Sequence, residues 1–368
     1  MRNSLIAAAL TLLAACATEA APAPPPLGAA PSTLRSYSDD PLLAERLVSE
    51  EWRTPEDGTF DVLALSGGGP NGAFGAGVLA GWTARGDRPV FDHVTGVSTG
   101  ALIAPFAYLG ADWDDALKDA YLDERTEGLM RRRALAGLFS SSVFTGEPLR
   151  NLVDSYVTQD LVDAIAAESL SGRTLIVITT DLDGQRSAAW DMGAIARLGG
   201  ERARQLFRDV MVASASIPGL FPPMTIDIGA GPEMHVDGGV AAPIYAVPEA
   251  IADRPEAALG AHAPLRIFMI VNTAVAPIAG HTTPGAFSIL RRSLDTSGKA
   301  SMRSVLQMNA AIAQRFGASF RVISVPAADS ADLTDFSPPT MARLYELGRQ
   351  MALDDRWRTS AGETAPAP

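Results

Sequence analysis

Short apolar runs along the chain alternate with longer segments in which apolar residues recur every three or four positions. The runs are rich in β-branched and aromatic residues, and near-continuous runs of this length are typical of buried strands in a parallel sheet. The longer segments have the period of amphipathic helices. The predicted strands are 60–65, 91–95, 174–180, 265–271 and 320–325. The predicted helices are 39–50, 73–82, 101–109, 112–137, 145–168, 198–213, 243–252, 286–316 and 339–354.

This alternation predicts an α/β layered fold with a largely parallel central sheet flanked by helices. Hydrophobic residues make up 47% of the 368 residues and charged residues 20%, which suits a packed core and not a disordered chain. No repeat or linker interrupts residues 58–355. We therefore predict one folded domain over 58–355, preceded by a helix and lead-in at 39–57 and followed by a disordered tail at 356–368.

The first residues have the pattern of a targeting segment. Arg2 precedes an apolar run from Leu5 to Ala15, which is too short to span a bilayer and has the proportions of a signal peptide. The run leads into Leu13-Ala14-Ala15-Cys16, a segment that resembles the lipobox of bacterial lipoproteins. The alternative is an ordinary signal peptide that is followed by an incidental cysteine.

The lipobox resemblance implies that residues 1–15 are removed and that Cys16 is acylated. Several acyl chains on one residue would anchor the protein firmly to a membrane. The Pro- and Ala-rich segment 16–38 is then predicted to be an extended tether. Ala17 stands where an aspartate often signals retention in the inner membrane, so we expect a lipid-anchored protein of the bacterial envelope, in the outer membrane and facing the periplasm.

Charge and residue counts exclude several classes of function. The formal net charge is −12, and an acidic chain of this kind is a poor nucleic-acid binder, because phosphate contacts need a basic surface. Cys16 is the single cysteine, so an internal disulfide and a four-cysteine zinc site are excluded. The four histidines show no zinc-binding spacing. We therefore expect neither a metal nor a cofactor.

A glycine-rich segment, Gly67-Gly68-Gly69-Pro70-Asn71-Gly72, follows the first strong strand and precedes a helix. It fits two interpretations: a dinucleotide-binding turn, or a loop whose backbone N–H groups bind a developing oxyanion. Asp92 lies at the distance at which a dinucleotide site needs an acidic residue. However, residues 85–89 interrupt the second strand that such a site requires, and an exported protein meets little NAD. The oxyanion loop is therefore favoured.

The pentapeptide Gly96-Val97-Ser98-Thr99-Gly100 lies between a predicted strand and an apolar helix. It matches the G-x-S-x-G nucleophile elbow, in which small flanking residues allow a sharp turn and the serine sits at a helix N-terminus. A third segment, Val236-Asp237-Gly238-Gly239, predicts by itself no more than a turn. The carboxylate of Asp237 becomes a candidate site residue because the two other motifs precede it in the chain.

The three motifs in this order resemble those of the patatin-like phospholipase family. The segments 213–223, 179–184 and 336–348 resemble further conserved parts of that family, so the resemblance spans about 58–350. It implies a patatin-like catalytic domain over 58–355. Asn71 departs from the pattern, because the family usually has arginine or lysine there, and any help from a cation to the oxyanion is therefore in doubt.

The resemblance implies a catalytic dyad in a serine acyl hydrolase that cuts phospholipids or other fatty-acyl esters. Ser98 would be the nucleophile, and Asp237 would accept its proton and later direct water to the acyl-enzyme. A carboxyl with its ordinary pKa is a weak base, so we expect direct contact between the two side chains to be essential. The glycines assigned to the site are Gly67, Gly68, Gly69 and Gly72 in the oxyanion loop, Gly96 and Gly100 in the elbow, and Gly238 and Gly239 after the aspartate.

Three alternatives remain at this stage. His235 would share a strand face with Asp237 and could complete a triad, although we interpret it as a solvent- or turn-facing residue. Acyl transfer to an acceptor other than water would use the same residues. The protein could also be a catalytically silent envelope lipoprotein that keeps the fold to bind lipid or a partner. The feature that favours this alternative is Asn71, which stands where the family usually has a basic residue. The basic pair Arg291-Arg292 is interpreted as a solvated helix face.

Overall fold

The computed structural model describes residues 31–40, 57–123, 142–229, 231–246 and 264–359. Its strands are β1 Arg35–Tyr37, β2 Phe60–Leu65, β3 His93–Val97, β4 Thr174–Asp181, β5 Arg186–Asp191, β6 Met224–Ile226, β7 Glu233–Asp237, β8 Leu265–Val271 and β9 Ser319–Ser324. Its helices are α1 Pro31–Leu34, α2 Gly72–Arg85, α3 Thr99–Leu109, α4 Asp114–Leu122, α5 Glu147–Tyr156, α6 Gln159–Glu168, α7 Met192–Arg197, α8 Gly200–Ser214, α9 Ala286–Arg315 and α10 Pro338–Leu353.

The strands form one sheet in the order β1-β5-β4-β3-β2-β8-β9. The five strands β4, β3, β2, β8 and β9 are parallel to one another. At one edge of the sheet β5 pairs antiparallel with β4, and β1 pairs antiparallel with β5. The predicted α/β layered fold with a largely parallel sheet is therefore confirmed. The sequence analysis did not anticipate β1, β5, β6 and β7.

Helices cover both faces of this sheet. Side chains alternate across β2, so that Leu63 and Leu65 join the larger hydrophobic core while Val62 and Ala64 join a second one on the opposite face. The larger core includes residues of helices α2, α3, α5, α6 and α8, and the second includes Met302 of α9. Burial on both faces explains why the strand sequences are apolar without alternation.

Strand β7 determines where the candidate site forms. β4 pairs with β3 up to Ile178, which lies beside Val97, and with β7 from Thr179, which lies beside Asp237. β7 runs antiparallel to β4 and so approaches β3 end to end along the same side of β4. The last residue of β7 consequently meets the turn that follows β3.

Some predicted elements differ from the structure or lie outside its described residues. Residues 243–246, predicted to begin a helix, are not helical, and the rest of that predicted helix is outside the described part. The whole predicted signal peptide and Cys16 are also outside the described part. The same holds for residues 41–50 of the predicted helix 39–50, for residues 124–137 and for the tail from residue 360. The predicted tether 16–38 contains β1, which pairs in the sheet, and the predicted disordered tail contains Arg358, which pairs with Val322. The other proposed domain boundaries stay predictions. No described helix is long and apolar enough to span a membrane.

Candidate active site

Ser98 occupies a strained turn between β3 and α3. Its backbone has φ 54° and ψ −124°, a left-handed conformation that costs energy for a residue with a side chain. The flanking glycines make the turn possible: a Cβ on Gly96 would lie 2.5 Å from the carbonyl oxygen of Gly100, and a Cβ on Gly100 would overlap the carbonyl of Leu65. The G-x-S-x-G pattern is thus required by backbone packing around the serine.

The Ser98 hydroxyl donates a hydrogen bond directly to Asp237. The distance from Oγ to Oδ2 is 2.5 Å, and both residues are buried. The second carboxylate oxygen, Oδ1, accepts the backbone N–H of Gly239 at 2.7 Å. The geometry therefore joins a serine hydroxyl to a carboxylate without an intervening imidazole.

Burial changes the chemistry of this carboxyl. It raises the pKa of Asp237 to about 6, against the opposing effect of the hydrogen bonds from Ser98 and from the Gly239 N–H. The sequence analysis assumed an ordinary aspartate pKa, and this assumption was wrong because it could not include desolvation. A carboxylate with a pKa near 6 is a stronger base than an exposed aspartate and remains ionised at neutral pH.

Hydroxyl groups on neighbouring elements hold both members of the pair. Ser214, at the end of α8, accepts the backbone N–H of Ser98 at 2.9 Å and donates to the carbonyl of Ile178 at 2.6 Å. Thr180 donates to the carbonyl of Asp237 at 3.0 Å. Because Ile178 and Thr180 both belong to β4, this strand fixes the two reactive side chains relative to each other. Sequence reasoning gave Ser214 no role, although it lies in the segment 213–223.

The glycine-rich loop packs directly against Ser98. A Cβ on Gly67 would lie 3.1 Å from the Cβ of Ser98, and one on Gly68 would overlap the carbonyl oxygen of Asn272. Gly69 has φ 56°, which favours glycine. The N–H of Gly67 donates to Pro243, whereas those of Gly68 and Gly69 donate to no other described residue. The Gly68 and Gly69 donors are therefore the ones left for an oxyanion.

Asn71 has a structural role in this loop. Its side chain is buried and donates to the carbonyl of Gly68 at 3.1 Å, while its Oδ1 accepts the backbone N–H of Ala331 at 2.9 Å. A neutral amide can do both, since it is a donor and an acceptor, and a lysine or arginine could only donate. Asn71 thus ties the loop to residues after β9 without supplying a positive charge.

Asn272, which was not predicted from the sequence, supports the same loop from beneath. Asn272, directly after β8, donates from its side chain to the carbonyl of Ser66 at 2.9 Å, and its backbone N–H donates to the Ser66 hydroxyl at 2.8 Å. Gly72 begins α2 where a Cβ would overlap the Thr99 hydroxyl. No motif marks Asn272, because its partner is 206 residues away in the chain.

An apolar pocket lies beside Ser98. Helices α3 and α5 contribute more of its lining than any other element, and Gly69 and Ser98 also belong to the lining. Four lining residues carry a hydroxyl group, namely Ser98, Thr99, Tyr121 and Tyr156, and the other lining residues are apolar. The larger apolar side chains of the lining are Leu102, Phe106, Leu149, Leu152, Val153, Val157, Leu161, Met211, Ile217, Phe221, Phe336 and Met341.

Three of the four histidines belong to the described part of the chain, and His262 lies outside it. His235 is fully buried, where its Nδ1 hydrogen-bonds the Thr179 hydroxyl at 2.9 Å, and burial lowers its pKa to about 4. Our expectation that it faces solvent or a turn was therefore wrong. His93 is buried in the sheet against Thr174, and His281 lies in a loop. Among the described residues, no histidine hydrogen-bonds Ser98 or Asp237.

The structure does not support a dinucleotide site. The Asp92 carboxylate accepts the backbone N–H of Asp61 at 2.7 Å, and both residues lie at the amino ends of their strands. The glycine-rich loop lies at the opposite, carboxyl end of β2, so Asp92 cannot reach a ribose bound there. Within the described ranges, side chains also form no group that could hold a metal ion.

A family model and a solved structure are similar to this chain. Residues 63–250 match the family model described as "Patatin-like phospholipase", and this range contains the glycine-rich loop, Ser98 and Asp237. The "Crystal structure of VipD from Legionella pneumophila" is similar to this chain with 14% identity and a TM-score of 0.42, over 88% of this chain and 74% of that one. The search of curated proteins gave no match.

Proposed function

Since the chain belongs to the patatin-like phospholipase family, a family of lipid acyl hydrolases, we propose that it hydrolyses fatty-acyl esters through a dyad of Ser98 and Asp237. One observation carries the proposal: the 2.5 Å hydrogen bond from the serine hydroxyl to a buried carboxylate. The raised pKa of Asp237 supports its role as a proton acceptor near neutral pH.

In the first half of the proposed reaction, Ser98 Oγ attacks the carbonyl carbon of the ester while its proton passes to Asp237. The carbonyl oxygen becomes an alkoxide, which the N–H groups of Gly68 and Gly69 stabilise. One such donor is typically worth about 3 kcal/mol of barrier. The bond from the carbonyl carbon to the alcohol oxygen then breaks, and Asp237 returns its proton to the departing alcohol, which leaves an acyl-enzyme.

In the second half, a water molecule takes the place of the alcohol. Asp237 accepts a proton from the water, and the hydroxyl oxygen attacks the acyl carbon. The same N–H groups stabilise the second alkoxide. When that intermediate collapses, Ser98 leaves and takes the proton back from Asp237, so that a free fatty acid departs and the enzyme regains its starting state.

The pocket supports an acyl chain as the recognised part of the substrate. Its walls are apolar over most of their surface, and burying each methylene of an acyl chain there would contribute about 0.8 kcal/mol. Ser98 lies in the lining, so an ester carbonyl above the hydroxyl could send its chain between α3 and α5. We therefore propose phospholipids or other long-chain acyl esters as substrates.

The test combines covalent labelling with turnover. We expect a fluorophosphonate probe to label Ser98 alone, as located by peptide mapping, and Ser98→Ala to abolish both labelling and hydrolysis of a p-nitrophenyl ester. Ser187→Ala is the matched control, because Ser187 is also a buried serine of the sheet and lies on β5. Labelling of any residue other than Ser98, or equal turnover by wild type and Ser98→Ala, would overturn the proposal and favour a silent lipid- or partner-binding protein.

We further propose that Cys16 anchors this enzyme to the outer membrane, with the catalytic domain in the periplasm. The lipobox-like segment before Cys16 supports the anchor. Mass spectrometry of the purified chain should find an acylated Cys16 at its N-terminus, and Cys16→Ser should leave the membrane fraction. An unmodified Cys16 in a membrane-free protein would contradict this part of the proposal.

A further inference from the structure

The two halves of the long helix α9 differ in burial. In its second half Met302, Leu306, Asn309 and Ala313 are buried at helical spacing against the sheet. Among the described side chains of the first half, residues 286–300, none is buried. The first half therefore extends beyond the core while remaining part of a continuous helix.

The polarity of this first half is inverted relative to an ordinary surface helix. Its exposed apolar side chains are Ile289, Leu290 and Leu294, with exposed fractions of 53%, 57% and 60%. The partly covered positions are polar and include Asp295 and Lys299, which form an ion pair. A helix normally buries its apolar face, so an apolar face turned to the outside indicates that something else covers it.

The first half of α9 contacts the connection between β9 and α10, which reaches the candidate active site. Arg291 forms an ion pair with Asp332 at 2.8 Å, and the next residue, Leu333, approaches Gly69 of the oxyanion loop. The same connection between β9 and α10 contributes Phe336 to the lining of the pocket. These side chains therefore connect the first half of α9 to the oxyanion loop and to the pocket beside Ser98.

The charge of α9 favours a surface that carries phosphate groups. Residues 286–300 include three basic residues and one acidic residue, a formal charge of +2 in a chain whose formal net charge is −12. Exposed arginines beside exposed leucines are typical of helices that lie in the interface of a bilayer, with apolar side chains among the acyl chains and cations among the headgroups.

We propose that residues 286–300 dock on a phospholipid bilayer and bring the opening of the pocket to the membrane surface. This inference rests on the proposed function, since a lipid acyl hydrolase has to draw its substrate from a bilayer. It differs from anchoring through Cys16, because the anchor would hold the protein near the membrane without orienting the active site.

The test compares two multiple variants of the full chain with a reference that is wild type apart from position 16, and all three carry Cys16→Ser so that acylation contributes nothing. The first carries Ile289→Ser, Leu290→Ser and Leu294→Ser. The control carries Val90→Ser and Leu170→Ser, which remove apolar side chains with exposed fractions of 69% and 78% near the amino ends of β3 and β4, at the edge of the sheet opposite the site.

Two assays separate docking from catalysis. Vesicles of phosphatidylcholine and phosphatidylglycerol in a 4:1 ratio serve for sedimentation and for hydrolysis, and p-nitrophenyl butyrate serves as a soluble ester. We expect the α9 variant to lose about tenfold in vesicle binding and vesicle hydrolysis while its butyrate turnover stays within about twofold of wild type. The control variant should match wild type in every assay.

Vesicle binding by the α9 variant equal to that of wild type would overturn docking, whatever the activities are. If wild type does not hydrolyse p-nitrophenyl butyrate, this result would instead contradict the proposed function. Sedimentation with vesicles would still decide whether α9 binds lipid. A second copy of the chain is the other possible cover for this face. Light scattering that shows a wild-type dimer and a monomeric α9 variant would replace the bilayer with a self-interface.

Discussion

Two carboxylates at opposite ends of the central sheet, Asp61 and Asp237, show how differently a protein can bury an aspartate. Asp61, at the amino end of β2, receives two hydrogen bonds from the guanidinium of Arg266, its neighbour on β8. Asp237, at the end of β7, receives hydrogen bonds from Ser98 and from the Gly239 N–H. No cation contributes to the electrostatics of Asp237 among the described residues.

The difference separates a structural carboxylate from a reactive one. Burial raises the pKa of both groups, but Arg266 opposes that rise at Asp61. At Asp61 the guanidinium of Arg266 donates to both carboxylate oxygens, so this group serves as a fixed, paired charge. An unpaired buried carboxylate binds a proton readily, so it can accept one from a serine and return it. The two ends of the sheet thus differ in charge pairing, and the proposed reaction assigns proton transfer to the carboxyl end.

The largest expected effect comes from removing the reactive carboxylate. Asp237→Asn should lower kcat/KM for an acyl ester by about 1000-fold, because the amide cannot accept the proton of Ser98. Its melting temperature should not fall, since the substitution removes an unpaired buried charge. Steady-state kinetics and thermal unfolding check both halves. A variant that keeps a tenth of the activity would show that Asp237 is not the base.

A smaller loss should follow from filling the space beside the oxyanion donors. In Gly68→Ala the new Cβ would overlap the carbonyl of Asn272, so the loop has to move and its N–H groups lose their positions. We expect kcat to fall by about 100-fold. Gly298→Ala in α9 is the matched control, because no atom lies within 4 Å of its Cβ. Equal activity of the two variants would remove Gly68 from the mechanism.

The pH dependence follows from the raised pKa of Asp237. The base acts in its ionised form, so kcat/KM should rise with pH, reach half its maximum near pH 6 and be about tenfold lower at pH 5 than at pH 8. The same group stabilises the folded state below its ordinary pKa, and this contribution is lost as pH rises through 6. A profile without an inflection between pH 5 and 7 would contradict the assignment.

The smallest effect on activity is expected at the other end of the sheet. Arg266→Met leaves Asp61 buried and unpaired, and should lower the free energy of unfolding by about 2 kcal/mol at pH 7, with kcat/KM within about twofold of wild type. Arg321→Met is the control, because its partner Asp355 is exposed and the pair should contribute less than about 1 kcal/mol. Denaturant titration measures both values.

The sequence predicted those parts of the site that local geometry determines. The elbow around Ser98 and the loop around Gly68 follow from glycines that have to be small where backbones touch, and such spacing is visible in a linear pattern. The buried strands of the parallel sheet were equally visible, because burial on both faces makes their sequences continuously apolar.

What the sequence did not reveal depends on contacts between distant segments. β7 mixes Glu233 and His235 with apolar residues and pairs with only short stretches of its neighbours, so no periodicity marked it. The supporting residues Ser214 and Asn272 act through partners 116 and 206 positions away. The raised pKa of Asp237 likewise required knowledge of its burial, which no motif carries.

The end-to-end meeting of β3 and β7 has a consequence for the newly made chain. Ser98 and its strained turn belong to an early part of the polypeptide, and the carboxylate that activates the serine emerges from the ribosome 139 residues later. Under the proposed function, an unfinished or half-folded chain therefore carries a nucleophile without its base. Such an enzyme would stay inactive towards lipids until its second half has been added and docked on β4.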